Sequence, residues 1–457
     1  MDATVTTTTA AKLFPLPLTP FEYYYWCDDR PEYPTMYPVE FSFSGVLQRE
    51  PLARAFHAAL ARHPMLDSRI GEGPDGRPCW IGSDGRMPEI DRAPEGAPIT
   101  HPQGEFLDLR TSPGLRIWVR HASDTSRLIF QVHHACCDGI GALRFIEDVM
   151  VLYHQEIVGQ ERAVALRPVD VELLRHRGDF PPVEGWRAVL RDWYVGARLW
   201  GEIVLHKPAP LSLPVATPGQ AATPPPFLSF ETQTLDAAMV RRLRAKAGSL
   251  EMTMNDLLLR DMFLTIQEWN QRHGQRGNPW LRINMPASMR ERDDQAMPAA
   301  NLLGFSFLTH RARECTDAAR LLARIHEETE AIKNWRLGWY FLGGLAAASG
   351  IPGMVPWFLR RNRSFATVVL SNLGRVLNRA PLPREGRKLV CGDVVLQRVL
   401  GVPPVRHLTR ASMAVVTYAD ETTFNLRCDP RLFTVEQTRR LLADYVARLE
   451  ATGRREK

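Results

Sequence analysis

Two imidazoles stand side by side at His133 and His134, and Asp138 and Gly139 follow them within a few residues. Imidazole titrates near neutrality, so either ring can take a proton and return it. Asp138-Gly139 supplies a turn, because glycine tolerates backbone angles that other residues resist. Cys136 and Cys137 lie between, and a thiolate beside an imidazole is an activated nucleophile. Neither cysteine carries a second signature, so both read as small buried residues. A metal site would use His133 or His134 with Asp138, but zinc needs three or four ligands and no further cluster stands out. No metal is therefore expected. The plain alternative is a pair of satisfied structural histidines at a strand end.

The flanking chain positions these groups. Residues 128–132 form an apolar run that reads as a strand stopping at the histidines. From Gly141 a helical period follows, with Leu143, Ile146, Val149 and Met150 on one face and an end near Ile157. A rigid strand thus delivers two histidines to an opening loop, a frequent address for chemistry. Upstream, residues 1–15 read as a flexible lead-in, and residues 16–26 bring Phe21, Tyr23, Tyr24, Tyr25 and Trp26 as a packing cluster. Residues 39–46 alternate like a strand. Leu52, Phe56, Ala59 and Leu60 follow at helical spacing, and Pro64 closes that helix at His63, which is expected at the surface. Residues 78–82 and 115–119 are further strands.

At 457 residues the chain is long enough for two large lobes. A hydrophobic fraction of 45% and a charged fraction of 24% are those of a globular protein. The net charge of +6 suits an anionic ligand or an acidic carrier protein. No basic stripe interleaves with aromatics, so no nucleic-acid partner is expected. Seven scattered cysteines without a Cys-x-x-Cys pair and an N-terminus without a basic and apolar run point to a cytoplasmic protein.

Residues 160–228 differ in character. Trp186, Leu190, Trp193, Tyr194, Ala197 and Trp200 share a helical face interleaved with Arg187, Arg191 and Arg198. This reads as a crossover helix; the basic flanks and tryptophans also admit peripheral membrane contact. Seven prolines among residues 208–226 make an extended lobe linker. The expected division is a first lobe over residues 1–180, the crossover helix and linker over 181–227, and a second lobe over 228–457. In the second lobe Asp236 and Thr253 cap helices, residues 281–285 form a strand, and residues 321–332 an amphipathic helix. Residues 337–359 carry no charge but include five glycines and two prolines. That composition favours an apolar wall for an acyl chain or acceptor over a membrane span. Strands near 366–370, 394–399, 414–418 and 422–427 precede a last helix over 435–449.

His-His-x-x-x-Asp-Gly at His133 to Gly139 resembles the active-site motif of the coenzyme-A-dependent acyltransferase superfamily, which includes chloramphenicol acetyltransferase, condensation domains and wax ester synthase/diacylglycerol acyltransferases. Pro286-Ala287-Ser288-Met289-Arg290 resembles the superfamily's Pro-x-x-x-Arg element, whose arginine pairs with the motif aspartate. A buried Asp138 needs such a partner, and a guanidinium can meet it with two hydrogen bonds. Asn301-Leu302-Leu303-Gly304 resembles the family's Asn-x-x-Gly turn. Ser371-Asn372-Leu373-Gly374, following its strand, looks like the wax ester synthase and polyketide-associated branch; the Asp-Phe-Gly element of other branches is absent.

The resemblance implies an α/β fold of two chloramphenicol-acetyltransferase-like lobes with a central tunnel. It implies His134 as general base and His133, Asp138 and Arg290 as structural residues at the active site. Gly139, Ser371, Asn372 and Asn301 are candidates for oxyanion or substrate contacts. The donor is a thioester, acyl-CoA or acyl-carrier protein, with no tightly bound cofactor. The acceptor is an alcohol, with an amine, as in a free-standing condensation domain, as the alternative. An inactive carrier-protein-binding member would have no need to keep His134, Asp138 and Arg290.

Overall fold

The computed structural model describes residues 13–159, 164–179, 186–214, 227–361 and 363–454, with the side chains of 186–193 outside that set. Most of the lead-in, the later part of the proline-rich linker, and the early side chains of the tryptophan-bearing helix therefore lie outside the described residues. In chain order the strands begin β1 (Leu16–Pro17), β2 (Met36–Ser44), β3 (Ser68–Glu72), β4 (Pro78–Gly82), β5 (Ile90–Pro94), β6 (Leu115–His121), β7 (Thr125–His133) and β8 (Glu231–Leu235). They continue with β9 (Trp280–Ser288), β10 (Leu303–Arg311), β11 (Val368–Arg375), β12 (Arg384–Glu385), β13 (Lys388–Cys391), β14 (Val394–Gly401), β15 (Ala411–Tyr418) and β16 (Glu421–Cys428). The helices are α1 (Pro20–Asp28), α2 (Arg49–Arg62), α3 (Gly139–Val158), α4 (Trp186–Leu205) and α5 (Ala237–Ser249). After them come α6 (Met254–Arg272), α7 (Ala318–Asn334), α8 (Gly338–Ser349), α9 (Met354–Leu359) and α10 (Val435–Arg454).

The chain folds into two compact units, and each draws on separate stretches of sequence. The first contains residues 1–179 with 290–303 and 375–401; the second contains 180–289, 304–374 and 402–457.

In the first unit a seven-stranded sheet runs in the order β12-β13-β14-β2-β7-β6-β5, beside a small β1-β4-β3 sheet. β7 lies inside the larger sheet. It pairs antiparallel with β2 from Met36 opposite His133 to Ser44 opposite Thr125, and with β6 from Leu115 opposite Val132. A strand held on both edges and buried on both faces reads as a continuous apolar run, as residues 128–132 do. Phe130 of β7 meets Phe145 of α3 edge-on at 5.9 Å, and Phe145 meets Phe56 of α2 the same way at 5.9 Å. These edge-to-face contacts anchor α3, and with it the turn carrying the motif.

The second unit is built on a six-stranded sheet in the order β10-β9-β11-β15-β16-β8. Its core joins Leu281, Ile283, Val368, Met413 and Phe424 of the sheet to Phe263 of α6 and Tyr445 of α10. Asp236 and Thr253 cap α5 and α6 through their side chains, Thr253 within a capping box. Residues 337–359 do not form one long segment. They divide into α8 and α9, parted by a loop in which Gly353 holds a left-handed φ of 76°. Among the described residues no helix is long and apolar enough to cross a membrane.

Candidate active site

α1 enters the first unit through a network that fixes its start. Thr19 and Glu22 form a capping box, and Glu22 also pairs with Arg177 at 2.7 Å while accepting from the Trp80 indole at 3.0 Å. Both charges of that pair are buried, and the doubled contact offsets the desolvation of each. Tyr25, one turn further along α1, lies flat against His134 with ring centroids 4.2 Å apart and planes 10° apart. Tyr37 of β2 closes on the same imidazole at 4.9 Å.

The two histidines have different surroundings. His133 Nδ1 accepts from the Ala135 amide at 3.1 Å, which leaves the proton on Nε2, 3.2 Å from the Asp29 carboxylate. Asp29 also accepts from the Thr35 amide at 2.7 Å. Both nitrogens of His133 are therefore engaged within the protein. Among the described residues His134 Nε2 meets only the Tyr25 hydroxyl, at 3.3 Å, and Nδ1 is buried without a well-formed hydrogen bond. Burial presses the His134 imidazole down to about 4; its own main-chain carbonyl and the Asp138 carboxylate pull weakly the other way, and His133 adds to the lowering. The ring is neutral at neutral pH.

Asp138 ends the turn and caps α3, its Oδ1 accepting from the Gly141 amide at 2.8 Å. Its Oδ2 accepts from Arg290 Nη1 at 2.7 Å and from the Leu302 amide at 2.9 Å. Burial alone would raise this carboxyl. The Arg290 guanidinium and the two amides outweigh burial and hold it below the ordinary carboxylate range. Arg290 donates its second arm to the Ala300 carbonyl at 2.9 Å.

Asn301, an oxyanion candidate by sequence, donates its amide to the His134 carbonyl at 2.7 Å and is buried. That donor is committed to holding the motif backbone. Gly141, where the helical period begins, permits the approach: a Cβ there would stand 2.8 Å from the Ala300 carbonyl oxygen. Gly139 opens α3 as its first residue.

His63 corrects an expectation. The helix does stop at Pro64, but His63 is buried instead of exposed. Its Nδ1 accepts from the Ala299 amide at 2.8 Å and its Nε2 lies 3.1 Å from Asp148. The cause is the turn after it, where Pro64, Met65 and Leu66 are themselves buried and carry His63 inward. Residues 290–303 are thus tied to the first unit at His63, His134 and Asp138.

Ser371 and Asn372 belong to the second unit. The strand expected to end before them continues through them as β11, which lies between β9 and β15 in the sheet. Asn372 donates to Asn255 Oδ1 at 3.1 Å. Burial pushes the Cys137 thiol up to about 12 and Cys136 well above its usual value, which opposes a thiolate nucleophile. Among the described residues no group of three His, Cys, Asp or Glu side chains is arranged to hold a metal.

This architecture is the two-lobe fold of condensation domains, here a mixed α/β chain of several sheets. The first condensation domain of the CDA synthetase superposes with a TM-score of 0.70 over 96% of each chain, at 14% identity. The starter condensation domain of rhizomide synthetase, solved with C8-CoA, gives 0.65 over 96% of this chain and 95% of its own, at 11% identity. Polyketide synthase associated protein 5 from Mycobacterium tuberculosis gives 0.62 over 96% and 98%, at 17% identity. In sequence, an uncharacterised protein of Mycobacterium tuberculosis is 26% identical over 362 residues, 74% of this chain and 78% of its own. No family model matches the chain.

Proposed function

We propose that the protein is an acyltransferase of the coenzyme-A-dependent type, moving an acyl group from a thioester to the hydroxyl of an apolar alcohol. The observation that carries this reading is the buried His134 imidazole, whose Nε2 meets the Tyr25 hydroxyl at 3.3 Å and, among the described residues, no carboxylate. In the proposed step Nε2 takes the proton of the acceptor hydroxyl as its oxygen attacks the thioester carbonyl. The carbon–sulfur bond then breaks, and the imidazolium returns its proton to the departing thiolate. No covalent acyl-enzyme is needed. The Gly139 amide is the proposed oxyanion donor. Asp138 and Arg290 hold the turn, and Asn301 holds the His134 carbonyl.

Support for a thioester donor comes from the rhizomide starter domain, which was solved with C8-CoA; an acyl-carrier protein offers the same bond. Support for an apolar acceptor comes from a small pocket within the second unit, where Trp200, Phe305, Phe307, Ile332, Leu337 and Phe341 stand beside the polar Glu202, Arg282, Ser306 and Thr309. Only Leu337 and Phe341 of the uncharged stretch at 337–359 reach it. Amide formation is the second reading, favoured by the condensation-domain neighbours.

The test is thiol release from a panel of acyl-CoAs with n-alkanols and matching n-alkylamines, with products read by mass spectrometry. Esters are expected. Each methylene buried contributes about 0.8 kcal/mol, so the apparent KM should fall roughly fourfold per carbon. Amides outpacing esters at neutral pH, or no dependence on alkyl length, would overturn the alcohol reading in favour of the amide-forming one.

A further inference from the structure

Three helices of the second unit pack as one group. Trp200 of α4 stacks on Phe341 of α8 at 5.4 Å with planes 11° apart and meets Phe358 of α9 at 6.1 Å. Its indole donates to the Tyr340 carbonyl at 3.3 Å. Gly344 leaves room for it, since a Cβ there would stand 1.8 Å from the indole nitrogen. The end of α4 is fixed by Arg282, which donates to the Glu202 and His206 carbonyls at 3.0 Å each.

Most of the exposed large hydrophobics of the second unit lie on this group or on the links beside it, Trp335 capping the end of α7 and Ile351 joining α8 to α9. Leu205 is 77% exposed, Tyr194 62%, Trp357 55%, Trp335 54% and Ile351 53%, with Val204 beside Leu205 also exposed. These six are the majority of the ten large exposed hydrophobics among the described residues. Cations accompany them. Residues 331–363 contain no acidic residue; Lys333 pairs with Glu330 at 3.7 Å and Arg363 donates to the Ile203 and Val204 carbonyls, while Arg336, Arg360 and Arg361 are exposed. Arg361 lies over the Trp357 ring at 3.9 Å. Glu202 of α4 is balanced by Arg198 at 3.7 Å.

Exposed tryptophan and tyrosine favour the boundary between headgroups and acyl chains, where an apolar ring and a polar edge are both satisfied. Lysine and arginine beside them draw anionic headgroups. We propose that the α4–α8–α9 group is a docking surface that seats the protein peripherally on a bilayer bearing anionic lipid. The proposal is independent of the acyltransferase reading, because binding is measured without turnover.

The experiment is co-sedimentation of the full chain with vesicles of phosphatidylcholine alone and of phosphatidylcholine mixed with phosphatidylglycerol. Binding to the mixed vesicles is expected, with little to the neutral ones and a decline as salt rises. The double variants Trp335→Ser/Trp357→Ser and Arg360→Glu/Arg361→Glu should each lower that binding by about tenfold or more, with thermal melting unchanged. Should either variant fail to fold, brominated lipids supply the second measurement: they should quench the wild-type tryptophan fluorescence. No binding to anionic vesicles, wild-type binding by both folded variants, or no quenching would overturn the proposal. So would a dimer that the variants dissolve in the absence of any vesicle binding, which would make the surface an interface between copies.

Discussion

The Asp138–Arg290 pair can be tested as a closed thermodynamic cycle. Both side chains are buried, and the carboxylate accepts from Arg290 at 2.7 Å, from Gly141 at 2.8 Å and from Leu302 at 2.9 Å. Asp138→Ala removes the helix cap, leaves the Leu302 amide unpaired and strands a guanidinium. Arg290→Ala strands a carboxylate that keeps two amide donors and can escape by taking a proton. Breaking a buried pair from one side costs about 3–5 kcal/mol; Asp138→Ala should fall at the upper end and Arg290→Ala at the lower. Independent effects would sum to roughly 8 kcal/mol in the double variant. The double variant strands neither charge, so it should lose about as much as Asp138→Ala alone, a coupling of about 3 kcal/mol. Denaturant midpoints followed by tryptophan fluorescence would read it, at pH 7.5 and again at pH 5. Without Arg290, burial raises the carboxyl above its unfolded value, so the Arg290→Ala penalty should shrink as pH falls. Losses that add to within about 0.5 kcal/mol would refute the pairing.

The other expectations concern the histidines. His134→Ala should lower turnover by about two to four orders of magnitude, the usual worth of a general base, with the fold retained; near-native turnover on a verified acyl donor would refute the mechanism. His133→Ala should cost less catalysis and more stability, because it leaves the buried Asp29 carboxylate without its imidazole. The His134 imidazole is lowered to about 4 and His63 is lowered as well. For such groups stability is complete above the ordinary histidine value of about 6.5 and is lost as pH falls through it toward the folded value. Thermal melts should therefore decline from about pH 6.5 downward. The acid limb of kcat/KM should lie near 4, and a limb at about 6.5 would show an unburied ring.

What the sequence revealed and what it hid follow from how local each signal is. A strand running into His133 and a helix opened by Asp138-Gly139 are written in adjacent residues, and the chain folds so. Arg290 could be found at a distance because a buried carboxylate demands a cation and a family pattern named one. Tyr25 meets His134 across 109 residues, and His63 meets Asp148 across 85; neither contact has a period or a spacing to betray it. Asp29 and Thr35 escaped for the same reason, although they fix His133. At Ser371 to Gly374 the strand runs on to Arg375, while Asn372 Oδ1 accepts the Gly374 amide at 3.0 Å and Gly374 holds a positive φ of 63°.

Adjacent imidazoles of equal intrinsic basicity are separated only by their partners. His133 accepts an amide on one nitrogen and faces a carboxylate with the other, so deprotonating a substrate would first require breaking a buried interaction. His134 has no carboxylate partner to stabilise an imidazolium, and burial opposes its charge. A proton gained there is held at a cost and tends to leave quickly. That suits a step in which the proton taken from an acceptor is handed at once to the departing thiolate, and it suits poorly a stable ion pair. The Asp138 carboxylate offsets only part of the charge, because its oxygens are bound by Arg290, Gly141 and Leu302. The aspartate therefore acts on His134 through position, and the segment 290–303 controls that position by gripping both the Asp138 side chain and the His134 carbonyl.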